Sequence, residues 1–362
     1  MIKQKNFLLF IILLGLFLSP ALIHAGFLSL RNGKIINSKN KITNIQSISC
    51  GDLIYGDIIL TNDLLGCLGN GLIIGADDII LDCDGHFIEG NGISPNENSA
   101  GIYIDSKNNI TIKNCKINEF GNGIFLHISN NIRIENNNEN FNHNAIFLNY
   151  SSNIFFLNNI LTNSSYMGVH FEKVNETIFL NNIIHSNSWG IKISNSYNNL
   201  FLNNLVLDNG EGIIISKSFG NILRNNSILK NLGGIYLEDS RDNEINRNNI
   251  SLNNYYGIFT NNLNDTSFSE NDFINNNYYG TYLDFNSKYN TFWRNNFEGN
   301  NINAYESSGS NENNWNLSNM GNFWDDLNNN PGYPYHYRIA GPGNGRDFHP
   351  NSPVNPSKTF YI

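Results

Sequence analysis

Residues 101–120 read GIYIDSKNNITIKNCKINEF, and related stretches begin again every 22 or 23 residues further along the chain. Each stretch starts with a small residue and continues with apolar and polar residues in alternation. The nine starting positions are Gly101, Gly123, Ala145, Gly168, Gly190, Gly212, Gly234, Gly257 and Gly280. A period of this length is the signature of a protein built from one repeated structural unit.

Within the repeat, alternation such as that of Ile110 and Ile112 has the period of a β-strand with one buried face. No run has helical length, and turn-forming residues such as SKNN at 106–109 separate the runs. A unit this small cannot bury its apolar face alone, so it must stack on its neighbours. Leucine-rich repeats need a pattern that is absent here, and propeller blades have about twice the period. We therefore predict an all-β fold, a right-handed parallel β-helix (solenoid) with 22 to 23 residues per coil and about twelve coils.

Asparagine recurs at a similar point of successive repeats. Stacked at about 4.8 Å, such amides can hydrogen-bond along the column. We interpret this column as a structural asparagine ladder, the alternative being that asparagine is simply abundant in the chain. The predicted ladder is Asn114, Asn136, Asn158, Asn181, Asn203, Asn225, Asn248, Asn271 and Asn295.

The sequence divides into four segments. Residues 1–25 place Lys3 and Lys5 before an apolar run from Phe7 to Leu18, which is typical of a secretory signal peptide; a retained anchor is the alternative. Residues 26–49 lack periodicity and are predicted to be a poorly structured leader. Residues 50–314 form the β-helix, and no later apolar run could span a bilayer. Residues 315–362 are predicted to be a capping tail, or else an aromatic sugar platform with calcium at Asp325 and Asp326.

The four cysteines all lie in the first third of the chain. In an oxidising compartment an even number suggests disulfides, and we predict that Cys50 and Cys67 staple the first coil. Cys83 and Cys115 either pair with each other or fill the core. A four-thiolate metal site is the alternative, but the sequence has no C-x-x-C pair.

The formal net charge is −9, and loss of the two lysines in the signal segment would make it −11. An acidic surface is a poor partner for nucleic acid. It also favours neutral or cationic sugars, or calcium bridging, in any glycan partner.

Two columns of each opening strand are expected to face outward, two and four residues after the starting position. The first column is rich in aromatic residues, on which sugar rings stack, and the second supplies polar partners. The predicted substrate-binding residues are Tyr103, Asp105, Phe125, His127, Phe147, Tyr236, Glu238, Phe259, Tyr282 and Asp284. The alternative is a plain sheet surface, because aromatic residues are favoured in strands whatever they face.

His170 and Lys192 interrupt the aromatic column, and a catalytic hypothesis rests on this interruption. His170, Glu172 and Lys192 are expected on adjacent coils, where His170 or Lys192 could abstract a proton from a uronic acid. Hydrolysis is disfavoured, because the acids nearest to Glu172 in its column are three coils away, about 14 Å.

Three segments resemble a known family: GNGLIIGADDIILDCDGHFIEG at 69–90, NITIKNCKI at 109–117 and GNFWDDLNNNPGYPYHYRIAGPGNGRDFHP at 321–350. With the repeats, they are similar to the NosD-like, periplasmic copper-binding type of parallel β-helix, within the carbohydrate-binding and sugar-hydrolase β-helix group. The resemblance implies the fold and, by name, copper handling. The sequence favours copper little, since it has three methionines and no cluster of histidines.

We therefore expect a secreted or cell-surface protein, with a periplasm-like space as an alternative. Its expected role is to bind or organise polysaccharide, without catalysis and without a cofactor. The alternatives are a polysaccharide lyase or epimerase acting on uronic-acid glycans, a structural or adhesive protein that contacts other surface proteins, and a NosD-like copper-handling accessory protein.

Overall fold

The computed structural model describes residues 48–92, 99–310 and 312–351. These residues form the predicted parallel β-solenoid, in which three sheets of 12, 11 and 12 strands run side by side along the whole stack. Every neighbouring pair of strands in these three sheets is parallel and comes from successive coils. The 11-stranded sheet limits the stack to eleven complete turns, against the twelve or so expected. The predicted signal peptide and nearly all of the leader lie outside the described residues.

Each coil contributes one strand to each sheet in turn. Sheet 1 comprises Asp52–Ile54, Leu72–Ile74, Ala100–Asp105, Asn122–His127, Asn144–Asn149, Met167–Glu172, Trp189–Ser194, Glu211–Ser216, Gly233–Arg241, Tyr256–Asn264, Tyr279–Leu283 and Ile302–Glu306. Sheet 2 comprises Ile58–Ile59, Ile80–Asp82, Asn108–Lys113, Asn130–Glu135, Ser152–Leu157, Ile178–Leu180, Leu200–Leu202, Ile222–Arg224, Glu244–Asn246, Ser267–Ser269 and Thr291–Trp293. Sheet 3 comprises Leu64–Cys67, Phe87–Gly90, Lys116–Asn118, Asn138–Asn140, Ile160–Thr162, Ile183–His185, Leu205–Leu207, Ser227–Leu229, Asn249–Ser251, Asp272–Ile274, Asn296–Glu298 and Phe323–Trp324. A short antiparallel pair, Tyr337–Arg338 with Arg346–Asp347, and a 3-10 helix, Leu327–Asn329, follow.

The interior is a continuous column of aliphatic and aromatic side chains. Ile124, for example, stacks on Ile102 below and Ile146 above, and all three are buried. A small residue opens each repeat where the chain turns into sheet 1, and in all but one of the nine repeats, that of Ala145, it is glycine. A Cβ built on Gly101 would lie 2.2 Å from the side chain of Ile117 and 2.7 Å from the carbonyl oxygen of Gly123. A larger residue there would therefore separate the coils.

Buried asparagine ladders line the turns, as predicted, but the register of the predicted column is corrected in six coils. Asn248, Asn271 and Asn295 are ladder residues, whereas the other six lie one position before the ladder with φ between 54° and 58°. The first residue makes the left-handed turn, and the next points inward. The ladder at this turn is Asn137, Asn159, Asn182, Asn204, Asn226, Asn248, Asn271, Asn295 and Asn322.

Each ladder amide bonds both to the next coil and to the backbone. Asn204 Nδ2 donates to Asn226 Oδ1 at 2.9 Å and to the Phe179 carbonyl oxygen at 2.8 Å. Similar columns at the other two turns include Asn209 with Asn231, and Asn199 with Asn221. The ladders satisfy the buried polar groups of the turns, which would otherwise cost about 1 to 3 kcal/mol each.

Both disulfides close early coils. Cys50 is bonded to Cys67, as predicted, and Cys83 is bonded to Cys115, which was one of the two interpretations left open. The described residues contain no free cysteine. The pairing suits an oxidising compartment.

The last coil is covered by the segment after residue 314. Trp315 stacks on Phe292 with ring centroids 4.3 Å apart, and Trp324 stacks on Phe297 at 4.4 Å. Trp324 also supplies the final strand of sheet 3, so the solenoid runs further than the predicted boundary at residue 314. Asp347 ends the asparagine ladder, since its Oδ2 accepts the backbone N–H of Asn322 at 2.7 Å.

Candidate glycan-binding face

The outer face of sheet 1 carries the residues that the sequence singled out. Pairing between successive strands places the first outward column in one unbroken line, in which Phe125 lies beside Tyr103 and Phe147 beside His170. We call this line the aromatic strip. In order it reads Tyr103, Phe125, Phe147, His170, Lys192, Ile214, Tyr236, Phe259, Tyr282 and Tyr305.

The strip consists of two ring stacks separated by a gap. In the lower stack, Tyr103 to His170, neighbouring ring centroids are 5.3, 5.5 and 4.7 Å apart. In the upper stack, Tyr236 to Tyr305, they are 5.9, 4.6 and 5.1 Å apart. Lys192 and Ile214 fill the gap. The rings are partly exposed, so their outer surfaces remain available for contact.

His170 ends the lower stack, and its ring lies nearly parallel to that of Phe147. Burial, with the neighbouring Lys192 ammonium as a smaller cause, lowers the pKa of His170 to about 4. Its imidazole is therefore neutral at pH 7. Lys192 lies directly beside His170 in the next strand, and its Nζ is 5.3 Å from the centroid of the Trp189 ring.

The second outward column runs beside the strip. Asp105, His127 and Glu172 lie in it as predicted, and Glu172 Oε1 accepts a hydrogen bond from Asn195 at 3.0 Å. Glu238 is held between Ser216 and Asn261, at 3.2 and 3.5 Å. The column thus offers carboxylate, imidazole, amide and hydroxyl groups next to the rings.

Asp284 does not join this column. The sheet 1 strand ends one residue earlier, at Leu283, and Asp284 is nearly buried in the turn that follows. Its Oδ1 accepts the backbone N–H of Asn262 at 3.0 Å and the hydroxyl of Ser287. The carboxylate holds the turn, and it is not free to bind a ligand.

The sequence missed a third column, formed by the residue before the opening glycine, whose partly exposed members lie in the later coils: Trp189, Glu211, Tyr256 and Tyr279. In the earlier coils the same position is buried, as at Met167. Tyr256 donates its hydroxyl hydrogen to Glu211 Oε2 at 2.8 Å, although the two residues lie two strands apart. Gly233 stands between them and has no side chain to block the contact. Burial raises the pKa of both Glu211 and Tyr256. The alternation of inward and outward residues breaks at the glycine, and simple period-two counting therefore excludes this column.

The described residues contain no group of three or more histidine, cysteine, aspartate or glutamate side chains placed to hold a metal ion. Asp325 and Asp326, the calcium ligands of the alternative interpretation of the tail, both accept hydrogen bonds from Asn303 Nδ2, at 2.8 and 2.9 Å. Asp325 also accepts the backbone N–H of Gly299 at 2.7 Å. Their contacts fasten the tail to the last coils.

The family is established by comparison with known proteins. A family model described as "Periplasmic copper-binding protein (NosD)" matches residues 32–209 and 165–329. The chain belongs to the NosD family. A search of curated proteins finds no significant match for this NosD-family chain.

Solved structures share the solenoid fold of the NosD-family chain at low sequence identity. A point mutant of the periplasmic alginate epimerase AlgG has a TM-score of 0.61 at 15% identity, over 72% of this chain and 73% of that one. The Dettilon tailspike protein has a TM-score of 0.56 at 16% identity, over 69% and 59% of the two chains. A Geobacillus virus E2 protein, ORF18, has a TM-score of 0.51 at 14% identity, over 79% and 54%. These likenesses show the fold.

Among the residues that the structure describes, the donor groups do not suit copper. All four cysteines are in disulfides, and Met167 is buried in the solenoid. His127 and His170 lie in different columns of sheet 1. Copper prefers soft or imidazole ligands gathered at one point, and the described residues do not gather them.

Proposed function

We propose that this protein binds an extended polysaccharide along the outer face of sheet 1. The observation that carries the proposal is the pair of ring stacks in register along the solenoid. Sugar rings pack their C–H faces against aromatic rings, and a linear array of rings suits a linear chain of sugars. Neither stack is needed to fill the core, which lies on the other side of the sheet.

The second column supplies polar contacts for such a chain. Hydroxyl groups of a sugar would hydrogen-bond to the carboxylates of Asp105 and Glu238 and to His127. Lys192, in the gap between the stacks, adds a cation where an acidic sugar would gain an ion pair. Neutral and acidic polysaccharides are therefore both candidates, and the screen below distinguishes them.

A second candidate function is proton abstraction from a uronic acid, by a lyase or an epimerase. The observation that favours it is the neutral imidazole of His170 directly beside Lys192. The base would remove the proton next to the sugar carboxylate, and Lys192 would stabilise the negative charge that develops. Alginate is a polymer of this class, and the similarity of the alginate epimerase to this chain is limited to the fold.

The proposed location is outside the cytoplasmic membrane, at a cell surface or in a periplasm-like space. The two disulfides and the family description support it. No helix in the described part of the chain has the length and apolarity needed to cross a bilayer.

A glycan-array screen of the protein, with and without calcium, tests the proposal. Hits that contain uronic acid are then followed by absorbance near 235 nm, where the unsaturated product of a lyase absorbs, and by proton exchange at C5 for an epimerase. Binding without either signal supports a binding protein, and either signal supports the second candidate. Absence of binding to every glycan contradicts both and favours a structural or adhesive surface protein.

A further inference from the structure

The turn that leads from sheet 3 into sheet 1 carries two exposed tyrosines in successive late coils. Tyr255 and Tyr278 each lie two residues before an opening glycine, and their stacked ring centroids are 6.1 Å apart. The two side chains are 54% and 52% exposed, whereas Tyr166, at the equivalent position of an earlier coil, is 37% exposed. The two rings form a short stack of their own, outside the aromatic strip.

This short stack ends at Tyr278. Tyr279 pairs with Ile302 in sheet 1, so Asn301 occupies the position at which a third ring would lie. In the described part of the chain, the Tyr278 ring has one ring neighbour, Tyr255. One face of the Tyr278 ring is therefore not covered by another ring.

An open groove of about 690 Å³ lies at this point, and its walls include Asn275, Asn277 and Tyr278 from one coil and Gly299 and Asn301 from the next. A side chain at Gly299 would narrow the groove, since its Cβ would lie 2.1 Å from Asn275 Oδ1. The volume falls within the range of small-molecule sites, about 300 to 1,000 Å³. The groove therefore has room for a sugar ring.

Three side-chain amides in the groove have no partner within the protein. Asn275, Asn277 and Asn301 are exposed, and their amides make no hydrogen bond to any residue that the structure describes. Asn276 and Asn300, by contrast, are joined in a buried ladder, Nδ2 to Oδ1 at 3.0 Å. Each unpaired amide offers both donors and an acceptor, as sugar hydroxyl groups require. No residue that lines the groove is charged, so the groove offers no cation to an acidic ligand.

We propose that this groove is a second carbohydrate site, which binds one neutral sugar residue on the uncovered face of the Tyr278 ring. The C–H face of the sugar packs against the ring. Its hydroxyl groups exchange hydrogen bonds with the amides of Asn275, Asn277 and Asn301. The site shares no residue with the aromatic strip, so it does not depend on binding along the face of sheet 1.

Saturation-transfer difference NMR with methyl glycosides of glucose, galactose, mannose and N-acetylglucosamine tests the site. The glycosides are titrated to about 50 mM, because a single sugar is expected to bind with a millimolar Kd. Tyr278→Ala removes the ring, and Gly299→Asn fills the groove. Gly299 has a φ of 66°, and Asn275, at the same position of the preceding coil, has a φ of 54°, so asparagine fits this backbone.

Tyr166→Ala is the matched control. Tyr166 holds the equivalent position in its coil, but its ring lies between those of His143 and Trp189, with both centroids 5.2 Å away. Circular dichroism and the thermal midpoint verify that every variant folds.

At least one neutral glycoside is expected to bind the wild type and Tyr166→Ala alike. It is expected to bind Tyr278→Ala and Gly299→Asn at least about tenfold more weakly. Methyl glucuronoside is expected to bind the wild type at least about tenfold more weakly than the best neutral glycoside, because the groove has no cation for its carboxylate.

The proposal is overturned if no glycoside binds the wild type, if Tyr278→Ala leaves binding unchanged, or if methyl glucuronoside binds as well as the neutral glycosides. The double variant Phe125→Ala with Phe147→Ala is expected to retain the glycoside signal. Loss of the signal in that variant would place the sugar on the aromatic strip and would also overturn the proposal. Failure of the groove leaves binding along sheet 1 to be decided by the glycan array.

Discussion

The Tyr256 hydroxyl and the Glu211 carboxylate are joined by a 2.8 Å hydrogen bond that passes over the backbone of Gly233. The pair lies beside the gap in the aromatic strip, since Glu211 neighbours Trp189 in sheet 1 and Tyr256 contacts Phe259. A small residue in one strand thus permits a contact between the strands on either side. This fixes the side chains at one edge of the proposed binding face.

Gly233→Ala is expected to break this contact. The added Cβ would lie 2.2 Å from Glu211 Oε2 and 2.6 Å from the Tyr256 ring, so both side chains must move. Loss of a half-buried hydrogen bond should lower the free energy of unfolding by about 1 to 3 kcal/mol. Urea denaturation measures the change, with Gly69→Ala as the control, because nothing lies within 4 Å of a Cβ at Gly69. Equal stability of the two variants would show that the contact contributes nothing.

Asn204→Ala is expected to destabilise the solenoid by about 1 to 3 kcal/mol, because it removes one amide from a buried ladder and leaves its partners unpaired. Asn203→Gly is the matched control. Asn203 is exposed and has a φ of 55°, a conformation that glycine adopts without strain. Denaturation midpoints of the two variants decide between the registers. If Asn203→Gly were the more damaging change, the ladder would run through the exposed residue instead.

His170 should make the protein less stable as the pH falls from about 6.5 to about 4. Its pKa is about 4 in the folded protein and near its ordinary value of 6.5 when unfolded, so the unfolded chain binds more protons in this range. His170→Phe keeps a ring in the stack and removes the titration. Unfolding free energies measured across this range should therefore fall less steeply in the variant. Parallel profiles would contradict the assigned pKa.

Glu306 should make the protein less stable as the pH rises, which is the opposite of the effect of His170. Burial raises its pKa from 4.5 to about 7, and its Oε1 accepts the indole N–H of Trp315 at 2.7 Å. The folded protein binds more protons between these values, so its contribution to stability is full below pH 4.5 and is lost as the pH rises through 7. Glu306→Gln should abolish that loss. A variant whose stability still declines over this range would assign the effect to another buried acid, such as Glu139 or Asp347.

Much of the architecture follows from the sequence, because the period, the alternation and the opening glycines all express the same stacking requirement. The sequence was less informative about which asparagine of each coil belongs to the ladder. In five coils asparagine occupies both the left-handed turn position and the ladder position, as at Asn203 and Asn204, and composition does not say which one points inward. In other coils a charged residue such as Arg247 occupies the left-handed turn position, and the asparagine after it, Asn248, must be the ladder residue. These coils show which of the two positions points inward.

The residues of the proposed binding face were predicted only in part. Alternation placed the aromatic strip correctly because sheet 1 strands are regular from the glycine onward. It failed at the strand ends, where backbone turns override the period. Tyr256 comes before the glycine and Asp284 comes after the last regular residue, so one faces outward and the other turns in. Contacts between distant coils, such as that of Glu211 with Tyr256, leave no local trace in the sequence.

The most direct test of the proposed function is the affinity of a polysaccharide identified by the array for a variant whose lower ring stack is removed. Phe125→Ala with Phe147→Ala takes away two rings of the strip. The control is Phe219→Ala, which removes a partly exposed ring stacked on Tyr197 at 5.2 Å, outside the strip. Isothermal titration calorimetry should show at least a tenfold weaker affinity for the double variant and an unchanged affinity for the control. Equal affinity of all three proteins would contradict binding along this face.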